Sequence, residues 1–436
     1  MIILNNLEFY RRVYVYMEKF CVSGGRPLLG SLTIGGMKNA ALPIIFATIL
    51  VNDVCVLENL PDVSDIKTAL EILSRMGAIV KEIDKYTYSI DTRPVRSNSV
   101  PLDLARNMRG SYYVLGAELG RFGRSFTSLP GGCNLGARPI DQHVKGFEAL
   151  GATVNCTSGI SCYAENGLEG ASIYMDVASV GATANIMMAA ATAKGMTVID
   201  NAAREPHIVD LANFLNSCGA NISGAGTEVI KIRGVEELHG GSYAIIPDMI
   251  EAGTYMIAAA ATKGDLTINN VIPRHLEATT RKLVEMGVTV EEGDDFVRVR
   301  GDGKLKKTRV KTDFYPGFPT DMNPQICVLL CLAEGHSVLT ESVMNSRFKY
   351  TDELIRMGAR ITVQGRDAHI EGVPSFKPAT VRAVDLRAGA AMVIAALSAA
   401  GTTVIDDIYH IERGYEDLVG KLRSVGADIK RISDSI

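Results

Sequence analysis

A cysteine stands in the stretch SLPGGCNLGARP, residues 128–139, directly after Pro130, Gly131 and Gly132 and five residues ahead of Arg138. The two glycines before the thiol, and Gly136 after it, leave the backbone wide φ/ψ freedom, which predicts a loop that can swing. A neighbouring guanidinium lowers a thiol pKa and burial raises it, so Cys133 is the type of group that serves as acid, nucleophile or thiolate. An isolated cysteine more often behaves as a small apolar residue in a turn. The elements around it decide between the two readings.

Those elements repeat. An amphipathic helix that ends in glycine and runs into an alternating strand recurs as LSRMGAIV, FEALGATV, LNSCGANI, LVEMGVTV, LIRMGARI and LRSVGADI, with the glycines at 77, 151, 219, 287, 358 and 426. Their spacings are 74, 68, 68, 71 and 68 residues. Each glycine sits where a helix C-terminus calls for positive φ, and the alternation that follows marks a half-buried strand. A second, alanine-rich helix recurs in each unit and also leads into a strand, as in ATANIMMAAATAKGMTVID, AGTYMIAAAATKGDLTINN and RAGAAMVIAALSAAGTTVID. One supersecondary unit is therefore used six times.

The sixth unit stops short. After Gly426 the chain has only ADIKRISDSI, whereas earlier units continue into a hairpin. The matching strand, turn and strand pattern lies at the other end, in FCVSGGRPLLGSLTIG, residues 20–35. With three units per half, two similar domains are expected: a continuous one over 38–246 carrying Cys133, and a discontinuous one built from 17–37 and 247–436. A small-molecule site is expected in a cleft between such halves. Residues 1–16 fit neither the repeat nor a signal peptide and read as an extension, with Met17 a natural start.

Composition suits an enzyme of this size. The 436 residues exceed the length at which one core splits, and 47% hydrophobic with 22% charged residues is ordinary globular usage. Eight cysteines lack CxxC or Cys/His metal spacing, so neither a disulfide framework nor a zinc site is indicated and a reducing cytoplasm is expected. Lys194, Lys263 and Glu334 close the alanine-rich helices after about a dozen apolar residues, too few for a membrane span. The net charge of −4 argues against a nucleic-acid partner. Oligomeric state is not encoded in any of these features.

Nine motifs carry a resemblance over 17–436: GMKNAALP from Gly36, MRGS from Met108, LPGGCNLGARPIDQH from Leu129, SVGAT from Ser179, AAREPHIVD from Ala202, FPTDM from Phe318, NSRF from Asn345, DLRA from Asp385 and YHIERGYE from Tyr409. In this order they resemble the UDP-N-acetylglucosamine 1-carboxyvinyltransferase family of enolpyruvyl transferases. The resemblance implies an α/β fold, the two-domain inside-out α/β barrel, with six βαβαββ-type units, three per domain. It implies transfer of the enolpyruvyl group of phosphoenolpyruvate to the 3-hydroxyl of UDP-N-acetylglucosamine, with loss of phosphate and without metal or organic cofactor.

Both of those substrates are polyanions, and the motifs supply Lys38, Arg109, Arg138, Arg347, Arg387 and Arg413; guanidinium forks suit carboxylate and phosphate. By resemblance, Lys38 and Arg413 face the phosphoenolpyruvate phosphate and Arg387 its carboxylate. Cys133 is the implied proton donor to the methylene carbon, the site of a covalent adduct and the sulfur that opens the epoxide fosfomycin to form a thioether. Asp321 is the implied base at the sugar hydroxyl, although an Asp ahead of such a helix is also an ordinary N-cap, a task Thr320 could take instead. Asn39, Pro139, Ile140, Asp141, Gln142, Ser179, Val180, Gly181, Val343 and Asp385 complete the implied substrate contacts. The sequence departs from the family pattern in two places: at Val177 and Ala178, where a Lys is common, and at Gln142, where an apolar residue is usual.

Two alternatives stand beside this reading. A 5-enolpyruvylshikimate-3-phosphate synthase shares the fold and chemistry but is opposed by the PGGC loop and the RPIDQH segment. A non-catalytic paralogue that only binds the nucleotide sugar is opposed by intact Lys38, Cys133, Asp321 and Arg413.

Overall fold

The structure, a computed structural model, describes residues 18–96, 100, 103–104, 108–128, 140–157 and 159–433, with the backbone alone for Arg109. The extension expected at 1–16 and the Cys133 loop, with Arg138 and Pro139, lie outside the described residues.

The chain divides into two compact units, which among the described residues comprise 18–34 with 247–433, and 35–246. Gly35, Gly36 and Met37, expected in the discontinuous half, group with the continuous one. The Met37 N–H donates to Ile246 O at 2.8 Å, and a Cβ at Gly36 would lie 1.7 Å from Asn59 O. Backbone contact this close is possible only for glycine.

Each unit is built from the inside out. In the first, Met249–Ala261, Asn323–Leu332 and Leu386–Ser398 touch one another, and Met249–Ala261 buries every residue. In the second, Lys38–Val51, Tyr113–Phe122 and Val180–Ala190 form the corresponding trio. Val180–Ala190, Met249–Ala261 and Leu386–Ser398 are the alanine-rich segments quoted from the sequence. Small side chains let helices approach closely, and a helix apolar on all sides must be enclosed. The sheets enclose them.

In the first unit, Gly401–Asp406, Asp265–Asn269 and His336–Thr340 each lie inside a four-stranded sheet. In the second, Val54–Glu58 and Met196–Asp200 do the same, and Arg124–Thr127, Ile160–Tyr163 and Thr153–Asn155 make a three-stranded sheet among the described residues. Burial alternates along the central strands, as expected for sheets with one face on a core. Asp428–Ser433, the last strand, pairs antiparallel with Glu18–Gly24, which in turn pairs antiparallel with Gly401–Asp406. Leu29–Thr33 joins Asp265–Asn269 in parallel. The first strands of the chain thus occupy the hairpin positions that the sixth unit lacks.

The six repeat glycines all adopt φ between +90° and +104°. Gly426 has open space where a Cβ would be, so alanine there meets only backbone strain, expected to cost about 1–2 kcal/mol. Gly372 has an ordinary φ, but its Cβ would sit 1.8 Å from Ala333 O. Urea unfolding should therefore show Gly372→Ala to be the more destabilising of the two; the reverse order would mean that close packing within the repeat unit is not what requires the glycine.

Candidate active site

In the discontinuous unit the site grows from one carboxylate. Thr320–Met322 is a 3₁₀ turn that runs into the helix Asn323–Leu332, and that helix begins without a side-chain cap. The capping expected of Asp321 or Thr320 does not occur. Asp321 Oδ2 accepts from Arg387 Nε at 3.2 Å and Nη2 at 3.1 Å, while Oδ1 lies 3.5 Å from Arg347 Nη2. Thr320 donates instead to Glu341 Oε2 at 3.0 Å.

Both guanidiniums are buried, Arg347 at 2% and Arg387 at 3% exposure, whereas the Asp321 side chain retains 27%. Arg387 lies in the first turn of Leu386–Ser398, where the helix dipole disfavours a cation. Asp385 offsets this: as N-cap, its Oδ1 accepts from the N–H groups of Arg387 at 2.8 Å and Ala388 at 2.9 Å. Burial works to lower the Arg387 pKa, but Asp321, then Tyr415 and Asp248, outweigh it and hold the guanidinium above its usual value. The Arg387 guanidinium also lies 5.4 Å from the centre of the Tyr415 ring. The Tyr415 hydroxyl accepts from Gln325 Nε2 at 3.1 Å and shares a 2.9 Å hydrogen bond with Thr254 Oγ1. All three core helices of the unit therefore converge on this cation.

Arg347 is held from a different direction. Buried Glu341 accepts the N–H groups of Val343 and Met344 on Oε1 at 2.9 and 2.8 Å, and Asn323 Nδ2 on Oε2 at 2.9 Å. It thereby ties the turn carrying Val343, which precedes Arg347, to the start of the helix after Asp321. Arg347 Nε and Nη2 have no hydrogen-bond partner among the described residues. Buried donors without acceptors are costly unless an anion takes them. Arg413 ends a further 3₁₀ turn, Ile408–Arg413, and is half-buried.

The continuous unit holds a second group. Lys38 opens the helix Lys38–Val51, and its Nζ lies 2.9 Å from Asp65 Oδ2, both side chains being nearly buried. Asn39 follows it and is half-buried, and Arg109 opens the turn Arg109–Tyr112. Ile140 precedes the helix Asp141–Ala149. Gln142 is buried and clamps the segment ahead of Ser179: its Oε1 accepts the Asp176 N–H at 2.9 Å, and its Nε2 reaches Asp176 Oδ2 at 3.1 Å and Asp141 Oδ2 at 2.9 Å. Lys145 Nζ completes the cluster at 2.8 Å from Asp176 Oδ1. The Lys145 ammonium, then the Gln142 amide, hold the Asp176 carboxyl below its usual pKa. The two departures from the family pattern are thus neighbours, since Asp176 adjoins Val177.

Ser179 caps Val180–Ala190, its Oγ accepting from the Ala182 N–H at 3.4 Å. Val180 and Gly181 occupy the first turn, where N–H groups have no intrahelical acceptor and suit an anion. A Cβ at Gly181 would meet His143 Nε2 at 3.2 Å. Burial pushes the His143 pKa down to about 4 against the opposing pull of Asp141, so the ring is neutral at pH 7.

The structure thus groups Asp321, Arg347 and Arg387, with Asp385 and Val343 held beside them, and separately gathers Asp141 and Gln142 around Asp176. Glu341, Asp65, Asp176, Tyr415 and His143 were missed as positioning groups. His143 and Tyr415 lie inside quoted motifs, which is the one signal that pointed to them.

Residues 22–422 match the family described as EPSP synthase (3-phosphoshikimate 1-carboxyvinyltransferase). The chain is 54% identical over 418 residues to UDP-N-acetylglucosamine 1-carboxyvinyltransferase 3 of Caldanaerobacter subterraneus subsp. tengcongensis, covering 96% of this chain and 100% of that one. It is 51% identical over 417 residues to the UDP-N-acetylglucosamine 1-carboxyvinyltransferase of Clostridium botulinum, covering 95% and 100%. Among solved structures it is similar to the enolpyruvyl transferase NikO from Streptomyces tendae, with a TM-score of 0.87, 26% identity and coverage of 96% and 100%. An EPSP synthase from Acinetobacter baumannii shares the fold, with a TM-score of 0.75 at 19% identity and coverage of 95% and 100%. Full-length identity above half, on a fold shared with other enolpyruvyl transferases, places the chain in the UDP-N-acetylglucosamine 1-carboxyvinyltransferase family.

Proposed function

We propose that the enzyme transfers the enolpyruvyl group of phosphoenolpyruvate to the 3-hydroxyl of UDP-N-acetylglucosamine and releases phosphate, the first committed step of peptidoglycan synthesis. The observation that carries this reading is the Asp321 carboxylate set against two buried guanidiniums, each with donors that lack a hydrogen-bond partner among the described residues. Such a pair suits a small substrate bearing both carboxylate and phosphate.

In the addition step the sugar oxygen bonds to C2 of phosphoenolpyruvate, its proton leaves to Asp321, and C3 gains a proton from Cys133. The tetrahedral product carries both the phosphate and the sugar. Elimination reverses the protonation at C3, expels phosphate and restores the double bond. Arg387 holds the substrate carboxylate, and Lys38 and Arg413 the phosphate, with Arg347 supplying further donors. Oriented cations stabilise the charge that develops as phosphate departs, so no step requires a metal.

While paired with Arg387 and Arg347, Asp321 is a weak base, because adjacent cations favour its charged form. Substrate anions that draw those guanidiniums away raise its basicity. The carboxylate is then strengthened as a base only when phosphoenolpyruvate is in place.

For the nucleotide sugar, Arg138 to Gln142 contact the uridine, and Ser179, Val180 and Gly181 the diphosphate. Lys145, anchored on Asp176, supports this turn in place of the Lys common at the Val177 position. Asp141 and Gln142 form one rim of the uridine contact, and Asn39, Arg109, Val343 and Asp385 complete the substrate contacts. No described helix is long and apolar enough to cross a membrane. The proposed setting is the cytoplasm, where both substrates are available.

Phosphate release should require phosphoenolpyruvate and UDP-N-acetylglucosamine together and be unchanged by EDTA; turnover with shikimate 3-phosphate in place of the nucleotide sugar would overturn the assignment. At a temperature where the variant is folded, Asp321→Asn should lower kcat by at least about a hundredfold while nucleotide-sugar binding changes by less than about threefold. Near-normal kcat would remove Asp321 from the chemistry and leave it as an ion-pair partner.

A further inference from the structure

A second group of side chains with ligating chemistry lies in the discontinuous unit, on the four-stranded sheet of Arg309–Lys311, His336–Thr340, Asp367–Glu371 and Arg360–Gln364. The antiparallel register sets His336 opposite Glu371 and Val338 opposite His369. Ser337, Leu339, Ala368 and Ile370 are buried, so His336, His369 and Glu371 share the opposite, outer face. His336 Nδ1 is 2.7 Å from Glu371 Oε1, and His336 Nε2 is 3.4 Å from His369 Nδ1. The two rings are inclined by only 24°.

We propose that His336 Nε2 and His369 Nδ1 form a surface site for a borderline divalent transition cation, of the zinc, nickel and copper class. Imidazole nitrogens bind such ions at about 2.1 Å, and two of them 3.4 Å apart would subtend roughly 108° at the metal, near the tetrahedral angle. The separation needed for chelation is therefore already present across the two strands.

The third member fixes the tautomer. Glu371 accepts the His336 Nδ1–H, which leaves Nε2 of a neutral ring as the lone-pair donor. A carboxylate behind a ligating histidine is the arrangement that orients such rings and raises their basicity. His369 Nδ1–H then donates to His336 Nε2 in the metal-free protein. On binding, the metal takes the His336 Nε2 lone pair directly, and neutral His369 shifts its proton from Nδ1 to Nε2 to free the second lone pair. No redox step occurs and no net proton is lost.

Among the described residues, no group of three or more His, Cys, Asp or Glu side chains is placed to hold a metal. Water therefore completes the shell, and His336, at 45% side-chain exposure, is open to it. Arg360 of the neighbouring strand pairs in register with Glu371, so the carboxylate stands on the line between that residue and the imidazoles. The site is remote in role from the transferase chemistry: a bound ion would cross-link His336–Thr340 to Asp367–Glu371.

The test is calorimetric titration of the untagged, full-length protein with Ni²⁺ in a non-chelating buffer at neutral pH, with each variant checked for folding by circular dichroism. One saturable equivalent is expected. His336→Gln and His369→Gln should each weaken that binding by about a hundredfold, as expected when a chelate becomes a single contact, and Glu371→Gln by about tenfold. His239→Gln, elsewhere in the chain, should leave it unchanged. Absence of saturable Ni²⁺ binding, or folded His336→Gln and His369→Gln proteins that bind as the parent does, would overturn the site and leave the pair as a hydrogen-bonded imidazole stack.

Discussion

Two buried guanidiniums share one carboxylate, and much of the discontinuous unit is arranged around that imbalance. Removing a cation from water costs several kcal/mol unless it is paired and hydrogen-bonded. Among the described residues, Asp321 is the carboxylate that pairs with both Arg387 and Arg347, and Asp248 adds to the negative charge that holds Arg387. Asp385 eases the helix-dipole penalty on Arg387, and Tyr415 offers its ring and belongs to a hydroxyl and amide network reaching Thr254 and Gln325. Those residues lie on Met249–Ala261, Asn323–Leu332 and Leu386–Ser398, the three helices of the core. The packing that stabilises the unit and the placement of its cations are the same set of contacts.

Asp321 consequently has two competing uses. In the structure it serves as the shared counter-ion of the two arginines. Under the proposed function, an anionic substrate that takes over the arginines would release it to act as a base. In the proposed function, charge exchange of this kind would couple occupancy by phosphoenolpyruvate to activation of the sugar hydroxyl. Lys38 stands in a comparable relation to Asp65 in the continuous unit, where a nearly buried ammonium is held by a local carboxylate.

Periodicity made the framework readable from the residues. The six helix-ending glycines adopt the left-handed backbone that their position requires, and the alanine-rich helices are enclosed because they are apolar around most of their surface. The incomplete sixth unit pointed to Glu18–Gly24 as its missing partner, because a strand without a neighbour leaves backbone groups unpaired. Within the site, Asp321, Arg347, Arg387 and Asp385 were named from short motifs. Local chemistry offered Thr320 as an alternative cap, whereas its hydroxyl donates to Glu341, some twenty residues on. Glu341, Asp65 and Asp176 escaped notice for the same reason: each acts on a segment distant in sequence, and neither periodicity nor composition reports such a pairing. Gln142 read as a departure on the uridine side; its clamp on Asp176 emerges only when residues 34 apart in the chain meet.

The charge-exchange account is tested most directly by unfolding the parent and Asp321→Asn proteins over a series of phosphoenolpyruvate concentrations at constant ionic strength. Without substrate, the variant should be less stable by a few kcal/mol, since two buried guanidiniums lose their shared counter-ion. Added phosphoenolpyruvate should then raise the stability of the variant more than that of the parent, because it supplies the anion the variant lacks. Equal stabilisation of the two proteins, or a variant as stable as the parent in the absence of substrate, would contradict it.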